Sequence, residues 1–190
     1  MKEIILLGGP NGAGKTTTAR VLLREFLELH PYLNADEIAR ILSPGDPERV
    51  AFAAGRLMIE RMRDLVRNGH SFAFESTCSG KPYLRLLEQC KREKWRISLF
   101  YFWLPTPEMA IDRVARRVRQ GGHSIPADVI VRRYYSGVAN MRDFCLTLAD
   151  EAEIYDNADR GCVLIAEKRD GVGLKVDDPE RWALIEGVRP

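Results

Sequence analysis

The segment from Gly9 to Thr16 constrains the fold of this chain more than any other feature. It reads GPNGAGKT and matches the pattern G-x-x-x-x-G-K-[ST] at every fixed position. An apolar run at residues 4–7 precedes it, and residues 17–29 carry apolar side chains at a helical spacing. A glycine-rich loop between a strand and a helix wraps a polyphosphate in backbone N–H groups. The segment therefore predicts a site for a nucleoside triphosphate.

The individual residues of this loop have predicted roles. The glycines permit positive φ angles and a close approach of the backbone to phosphate. The Lys15 ammonium is expected to contact the β- and γ-phosphates, and the Thr16 hydroxyl is expected to bind Mg²⁺. The complete set of predicted nucleotide-binding residues is Gly9, Asn11, Gly12, Ala13, Gly14, Lys15, Thr16 and Thr17.

The overall composition argues against several other classes of protein. A formal charge of +2 gives no general case for nucleic-acid binding, so none is expected. No apolar run is long enough to cross a membrane, and the first strand starts too early to leave room for a signal peptide. We therefore expect a cytoplasmic protein with reduced thiols. Its four cysteines are Cys78, Cys90, Cys145 and Cys162.

Strand and helix signals alternate along the 190 residues, which favours βαβ units on a parallel sheet with helices on both faces. No linker divides the chain, so a single domain is predicted over residues 1–190. The predicted fold class is α/β, a P-loop NTPase-type three-layer sandwich with a mostly parallel sheet of five or six strands. The candidate strands are residues 4–7, 32–35, 71–74, 97–104, 152–155 and 162–166.

Two acidic residues follow predicted strands. Asp36 comes after residues 32–35, and Glu75 comes after residues 71–74. Because the carboxyl ends of parallel strands meet at one edge of a sheet, both carboxylates are expected beside the phosphate loop. A carboxylate there can accept the proton of an attacking hydroxyl or help to hold the metal. Asp36 also fits a helix cap, an interpretation that does not exclude the first.

Residues 111–134 form an arginine-rich segment. Arg113 and Arg117 are four residues apart and share a helix face, and Arg133 belongs to a second cluster beyond Gly121-Gly122. Two helices that carry guanidinium groups and are joined by a glycine-containing loop are typical of a lid that closes over phosphates. A helical, arginine-rich lid is therefore predicted here, with a solvated basic surface as the alternative.

Three features of the sequence have more than one interpretation. Arg116 and Arg119 are the arginines that best fit a plain surface role. The role of His123, in the loop between the two arginine clusters, stays open. The segment 155–157, YDN, closes a late strand, and is either a polar turn or an approach to the nucleotide base.

Taken together, these motifs resemble the zeta-toxin family of P-loop kinases in its compact chromosomal form. The resemblance extends over about residues 4–157. It rests on GGPNGAGKTTTA (8–19), LNADEIA (33–39), FAFEST (72–77), YFWLPTPEMAIDRVARRVRQGGHSIP (101–126), VIVRRYYSG (129–137) and YDN (155–157).

The resemblance implies a kinase that uses ATP and Mg²⁺. It implies that Asp36 activates the acceptor hydroxyl and that Arg117 and Arg133 stabilise the transferred phosphoryl group. Glu75 and Thr77 match the acceptor-side motif of the family, so with Asp36 they form the predicted substrate-binding set. With Lys15 added, the predicted catalytic residues are Lys15, Asp36, Arg117 and Arg133.

The identity of the acceptor is less constrained than the chemistry. Family members that act as toxins phosphorylate UDP-N-acetylglucosamine, so a nucleotide sugar is one implied small-molecule acceptor. This chain is shorter than those toxins around the nucleotide-sugar site, so other hydroxyl acceptors stay open. An antitoxin partner would be a separate chain and stays open as well. The alternative function is a switch that hydrolyses ATP slowly and binds a protein partner.

Overall fold

The computed structural model describes residues 1–122, 124–158 and 161–189, so His123, whose role stays open, lies outside the described residues. Within these ranges seven strands form one sheet. They are β1 (Glu3–Gly8), β2 (Tyr32–Leu33), β3 (Phe72–Ser76), β4 (Arg96–Trp103), β5 (Glu151–Asp156), β6 (Val163–Arg169) and β7 (Gly173–Val176).

Helices connect the strands from β1 to β5, and one further helix follows β7. They are α1 (Lys15–Leu22), α2 (Arg24–Leu29), α3 (Ala35–Leu42), α4 (Ala51–Arg67), α5 (Leu84–Arg92), α6 (Pro107–Arg119), α7 (Ala127–Asn140), α8 (Leu146–Leu148) and α9 (Pro179–Gly187). A 3₁₀ turn, Glu48–Val50, precedes α4, and a π-helical turn, Met141–Cys145, links α7 to α8.

The strand order is β2-β3-β1-β4-β5-β6-β7 across the described part of the chain. Neighbours from β2 to β5 pair in parallel, whereas β6 and β7 are antiparallel. The mostly parallel α/β sheet is confirmed, but the expected count of five or six strands is too low. The missed strand is β7, a four-residue edge strand whose first three residues are exposed, so it lacks the apolar pattern that reveals a buried strand.

Helices cover both faces of the central strands. Ile4, Ile5, Leu6 and Leu7 are consecutive in β1, and each is at most 4% exposed. Successive side chains of a strand point to opposite faces, so their joint burial requires a layer of packing on each side. The predicted three-layer sandwich is therefore confirmed.

Two helical predictions differ in their outcome. Residues 17–29 were predicted as one helix, but α1 ends at Leu22 and α2 begins at Arg24, and Leu22 itself is 49% exposed. Near the C-terminus, Asp178 caps α9 through its side chain, which accepts a hydrogen bond from the Arg181 N–H. The sequence Asp178-Pro179-Glu180 predicts the start of a short helix, and this helix is present.

Two further expectations concern membranes and thiols. Across the described ranges, the helices are either too short or too polar to cross a bilayer. All four cysteines are free thiols.

The strand register brings the predicted site segments to one edge of the sheet. Gly8, at the end of β1, pairs with Ser76 of β3 and with Tyr101 of β4. Leu33, at the end of β2, pairs with Phe74. The phosphate loop and the segments that follow β2 and β3 therefore emerge side by side at the carboxyl edge, where open α/β sheets bind ligands.

Candidate active site

The phosphate loop adopts the conformation that its glycines allow. Gly9, Gly12 and Gly14 have φ angles of 146°, 77° and 79°. A Cβ at Gly9 would lie 2.4 Å from the Phe102 carbonyl oxygen, so this position requires glycine for close approach as well. Gly14 precedes the first residue of α1, which leaves the N-terminus of that helix facing the loop. This is the expected cradle for an anion.

The Lys15 side chain folds over the loop that precedes it. Its Nζ donates hydrogen bonds to the carbonyl oxygens of Gly9 and Pro10, at 2.8 and 3.0 Å. Burial lowers the pKa of this ammonium, while the carboxylates of Glu75 and Asp36 act in the opposite direction. A bound phosphate would add negative charge and favour the protonated form.

Helix α6 supplies an arginine to this loop. Arg117 lies close enough to Lys15 for its charge to depress the pKa of that ammonium. The Nε and Nη2 of Arg117 are buried, and no hydrogen-bond partner for them exists among the described residues. The buried Oδ1 of Asn11 is also unpaired within those ranges. Unpaired buried guanidinium groups are costly, so the site fits an anionic ligand such as a polyphosphate.

Two residues that lie in segments noted from the sequence, but without a predicted contact to the loop, hold the loop in place. Asn157 Nδ2 donates to the Ala13 carbonyl oxygen at 2.6 Å. Arg113, noted only as sharing a helix face with Arg117, donates to the Gly12 carbonyl oxygen at 3.4 Å and also to the Ala158 carbonyl. The 155–157 segment and α6 thus brace the backbone of the phosphate loop. Only the tertiary fold reveals these contacts.

Asp36 lies in the first turn of α3 and does not cap it. The cap is Asn34, whose Oδ1 accepts a hydrogen bond from the Asp36 N–H at 2.8 Å. The helix-cap interpretation of Asp36 is therefore wrong. With that role taken by Asn34, the half-buried Asp36 carboxylate lines the site cavity instead.

A network of polar side chains fixes Glu75. Tyr32 donates its hydroxyl proton to Oε1, and Asn34 Nδ2 donates to Oε2 at 3.0 Å. Burial, followed by the charge of Glu75, raises the pKa of the Tyr32 phenol well above its ordinary value, so the phenol stays a donor. The Thr16 side chain lies beside the same phenol. Glu75 is thus an ordered carboxylate next to the predicted metal-binding hydroxyl.

Helix α7 packs against the loop that follows β3. A Cβ at Gly137 would lie 2.3 Å from the Thr77 carbonyl oxygen, and Asn140 Nδ2 donates to the Cys78 carbonyl oxygen at 2.9 Å. Arg133 is four residues before Gly137 and seven before Asn140, so all three share one face of the helix. This packing directs Arg133 toward the cavity beside Thr77.

These elements enclose a cavity of about 220 Å³. Its wall brings together residues from the phosphate loop, α3, β3 and α7. The lining residues that were predicted from sequence are Asn11, Lys15, Asp36, Glu75, Thr77 and Arg133. Thr17 is exposed and Ala13 is fully buried, so any contribution of Ala13 to phosphate binding is through its backbone.

The donor set also fits Mg²⁺ bound together with a nucleotide. In the described ranges no group of three or more His, Cys, Asp or Glu gathers in a way that would hold a metal alone. Mg²⁺ in such sites takes one or two protein oxygens and completes its shell with phosphate oxygens and water. The Thr16 hydroxyl with the nearby Glu75 or Asp36 carboxylate matches that requirement.

Comparison with known sequences identifies the family. The AAA domain family matches residues 4–135, more than half of the chain, so the chain belongs to this family. An uncharacterized protein of Haemophilus influenzae is 30% identical over 134 residues, which cover 70% of this chain and 92% of that protein.

Comparison with solved structures identifies the same fold. The PezAT chromosomal toxin-antitoxin system of Streptococcus pneumoniae matches with a TM-score of 0.62 and 23% identity, over 86% of this chain and 71% of that chain. The AvrRxo1-ORF1:-ORF2 complex with ATP matches with a TM-score of 0.72 and 17% identity, over 97% and 63%. The fold is therefore a P-loop kinase-like fold, and the predicted resemblance to toxin-type kinases is confirmed for the fold.

Proposed function

We propose that this protein transfers the γ-phosphoryl group of ATP to a hydroxyl group of an acceptor molecule. One observation carries the proposal: Lys15, Asp36 and Arg133, from three separate segments, line one small cavity next to the phosphate loop. A cation for the phosphates, a carboxylate for the hydroxyl proton and a second cation are the parts that phosphoryl transfer requires. A solved relative of the same fold contains ATP, which supports ATP as the donor.

Each residue has a separate proposed task in this reaction. The amides of the phosphate loop and the Lys15 ammonium hold the β- and γ-phosphates. Thr16, with Glu75 or Asp36, would hold Mg²⁺, which neutralises phosphate charge when bound. The unpaired guanidinium atoms of Arg117 are proposed to bind the transferred phosphoryl group, together with the guanidinium of Arg133, which lines the cavity.

The chemical step follows from the position of Asp36. Its carboxylate accepts the proton of the acceptor hydroxyl as the oxygen attacks the γ-phosphorus. The new O–P bond forms, the bond between the γ-phosphorus and the β–γ bridging oxygen breaks, and ADP leaves. Arg117 and Arg133 stabilise the charge on the equatorial oxygens during this step. Closure of the predicted lid at residues 111–134 would exclude water as a competing acceptor.

The acceptor and partner are proposed at a coarser level. A small hydroxyl-bearing molecule is proposed as the acceptor, with UDP-sugars among the candidates because of the resemblance to toxin-type kinases. An antitoxin is proposed as a partner because one solved structure of this fold is a toxin-antitoxin system. A single domain over residues 1–190 remains part of this proposal.

Transfer of ³²P from γ-labelled ATP to a panel of acceptors tests the proposed function. The panel contains UDP-sugars, nucleosides and free sugars, with product separated from phosphate by chromatography. A labelled acceptor supports the kinase. Slow release of phosphate to water, unchanged by every acceptor, would instead favour an ATP-hydrolysing switch with a protein partner.

A further inference from the structure

A basic groove continues outward from the proposed reaction centre along helix α4. The small cavity at Asp36 shares Ala51, Met58 and Arg133 with a larger cavity of about 810 Å³. That cavity shares Arg63 with a third, of about 750 Å³. The three cavities therefore adjoin one another along α4, and together they are called the α4 groove.

The outer part of the α4 groove is strongly positive. Four of the described residues that line it are basic and none is acidic: Arg63, Arg67, Lys81 and Arg85. Among the ion pairs of the described residues, Arg67 pairs with Asp64, whereas Arg63 and Arg85 occur in none. The middle part carries both signs, because Glu48 and Glu60 lie there beside its arginines. A cationic surface on which Arg63 and Arg85 form no ion pair with a described residue fits a phosphate-bearing ligand.

The length of the groove distinguishes between phosphate-bearing ligands. It follows α4 from Ala51 to Arg67, a rise of roughly 24 Å at about 1.5 Å per residue. A single nucleotide does not span this distance, whereas successive phosphates of a nucleic-acid strand repeat every ~3.4 Å in helical form. The middle cavity and the outer cavity are each as large as a site for one drug-sized ligand, about 300–1,000 Å³.

The middle of the groove also offers a surface for stacking. Phe52 is 80% exposed there, and the Arg56 guanidinium lies 6.0 Å from its ring centroid. Aromatic rings along a basic channel bind unpaired bases by stacking, without reading their sequence. A large exposed aromatic ring in this position favours a single strand over a duplex.

Resting on the proposed kinase activity, we infer that the acceptor is a single-stranded oligonucleotide. Its terminal hydroxyl enters the cavity at Asp36, and its backbone phosphates bind Arg63, Arg67, Lys81 and Arg85. The terminal oxygen forms the new bond to the γ-phosphorus, its proton passes to Asp36, and ADP leaves. The low net charge of the chain conceals this surface, since acidic residues elsewhere balance the local cluster.

Binding is measured first, because it does not depend on catalysis. Fluorescence anisotropy with labelled single strands of one to eight nucleotides, in the presence of ADP, is expected to show affinity that rises with length. The double variant Arg63→Ala, Arg85→Ala should weaken binding of the octanucleotide about tenfold. It should also make the slope of log affinity against log salt less steep by about 1.4, at ~0.7 per phosphate contact.

Arg61→Ala is the matched control for this experiment. Arg61 lies on α4 two residues from Arg63, so its side chain points to a different face of the helix. It should bind like the unchanged protein. Equal effects in both variants, or affinity that does not depend on length, would overturn the inference.

Phosphoryl transfer to the same strands separates this inference from the proposed function. The expected result is a labelled octanucleotide, with a KM raised about tenfold by the double variant and by Phe52→Ala while the KM for ATP is unchanged. Labelled UDP-sugar without a labelled strand would reject the oligonucleotide and leave the kinase intact. Strand binding without transfer to any acceptor would reject the kinase, and the acceptor assignment with it, while retaining the groove.

Discussion

The proposed donor side of this site comes from eight consecutive residues, whereas the proposed acceptor side is assembled from four separate segments. Gly9 to Thr16 fold into a single loop. Its glycines, lysine and threonine lie within eight residues of one another in sequence, so their arrangement depends on local conformation. The acceptor side combines α3, β3, α7 and α4, which meet only in the folded protein. This difference explains why the donor can be inferred from a motif and the acceptor requires a structure.

Arg117→Ala should have the largest effect of the variants that probe this comparison. Loss of a guanidinium that stabilises transferred phosphoryl is expected to lower kcat about 10³-fold or more. Arg116→Ala is the matched control, since Arg116 is the exposed neighbour on the same helix. Single-turnover transfer with saturating ATP measures both. Similar rates in the two variants would remove Arg117 from the proposed catalytic residues.

Gly137→Ala should disturb the acceptor side alone. The added methyl group would lie 2.3 Å from the Thr77 carbonyl oxygen, so α7 or the loop after β3 must move. Displacement of positioning groups by about 1 Å costs ~10²-fold in rate, and we expect this loss in kcat/KM for the acceptor with the Kd for ATP unchanged.

Gly187→Ala serves as the control for Gly137→Ala, because a Cβ at Gly187 meets no atom within 4 Å. Thermal unfolding of both variants shows whether each is folded. If Gly137→Ala lost as much affinity for ATP as it loses in kcat/KM for the acceptor, the separation of the two sides would be contradicted.

Tyr32→Phe should produce a smaller effect at the boundary between the two sides. It removes the hydroxyl that donates to Glu75 and leaves the ring in place. Loss of such a supporting hydrogen bond is expected to lower kcat about tenfold. It should also raise the Mg²⁺ concentration that gives half-maximal rate by a similar factor. A titration of rate against Mg²⁺ measures this. An unchanged magnesium midpoint would remove Glu75 from the metal-binding proposal.

The pH dependence of ATP binding should give the smallest effect near neutrality. Burial lowers the pKa of Lys15, so its ammonium loses its proton at a lower pH than an exposed lysine does. ATP affinity should therefore fall as pH rises, beginning below the ordinary lysine range. Lys15→Arg keeps its charge across the range and should flatten the profile. Parallel profiles for the two proteins would assign the pH dependence to another group.

Much of the fold could be predicted because its signals are local. The buried central strands read as apolar runs, and Asp178 marks a helix start through its cap. Strand β7 could not be predicted, since its exposed residues carry no apolar pattern. The count of strands was therefore too low.

The site divides in the same way. Asn34 replaced Asp36 as the helix cap because the cap depends on where α3 begins, which sequence does not fix to the residue. Asn157 and Arg113 bind loop carbonyls that lie more than 100 positions away in the chain. Contacts over such separations carry no local signal.

The most direct test of the account is Asp36→Asn, studied by ATP binding and by phosphoryl transfer in parallel. Asparagine keeps the size of the side chain and cannot accept the hydroxyl proton. Calorimetric binding of ATP should be nearly unchanged, while transfer from labelled ATP to every acceptor should be lost. Full transfer activity in this variant would contradict the central claim that Asp36 is the base of a phosphotransferase.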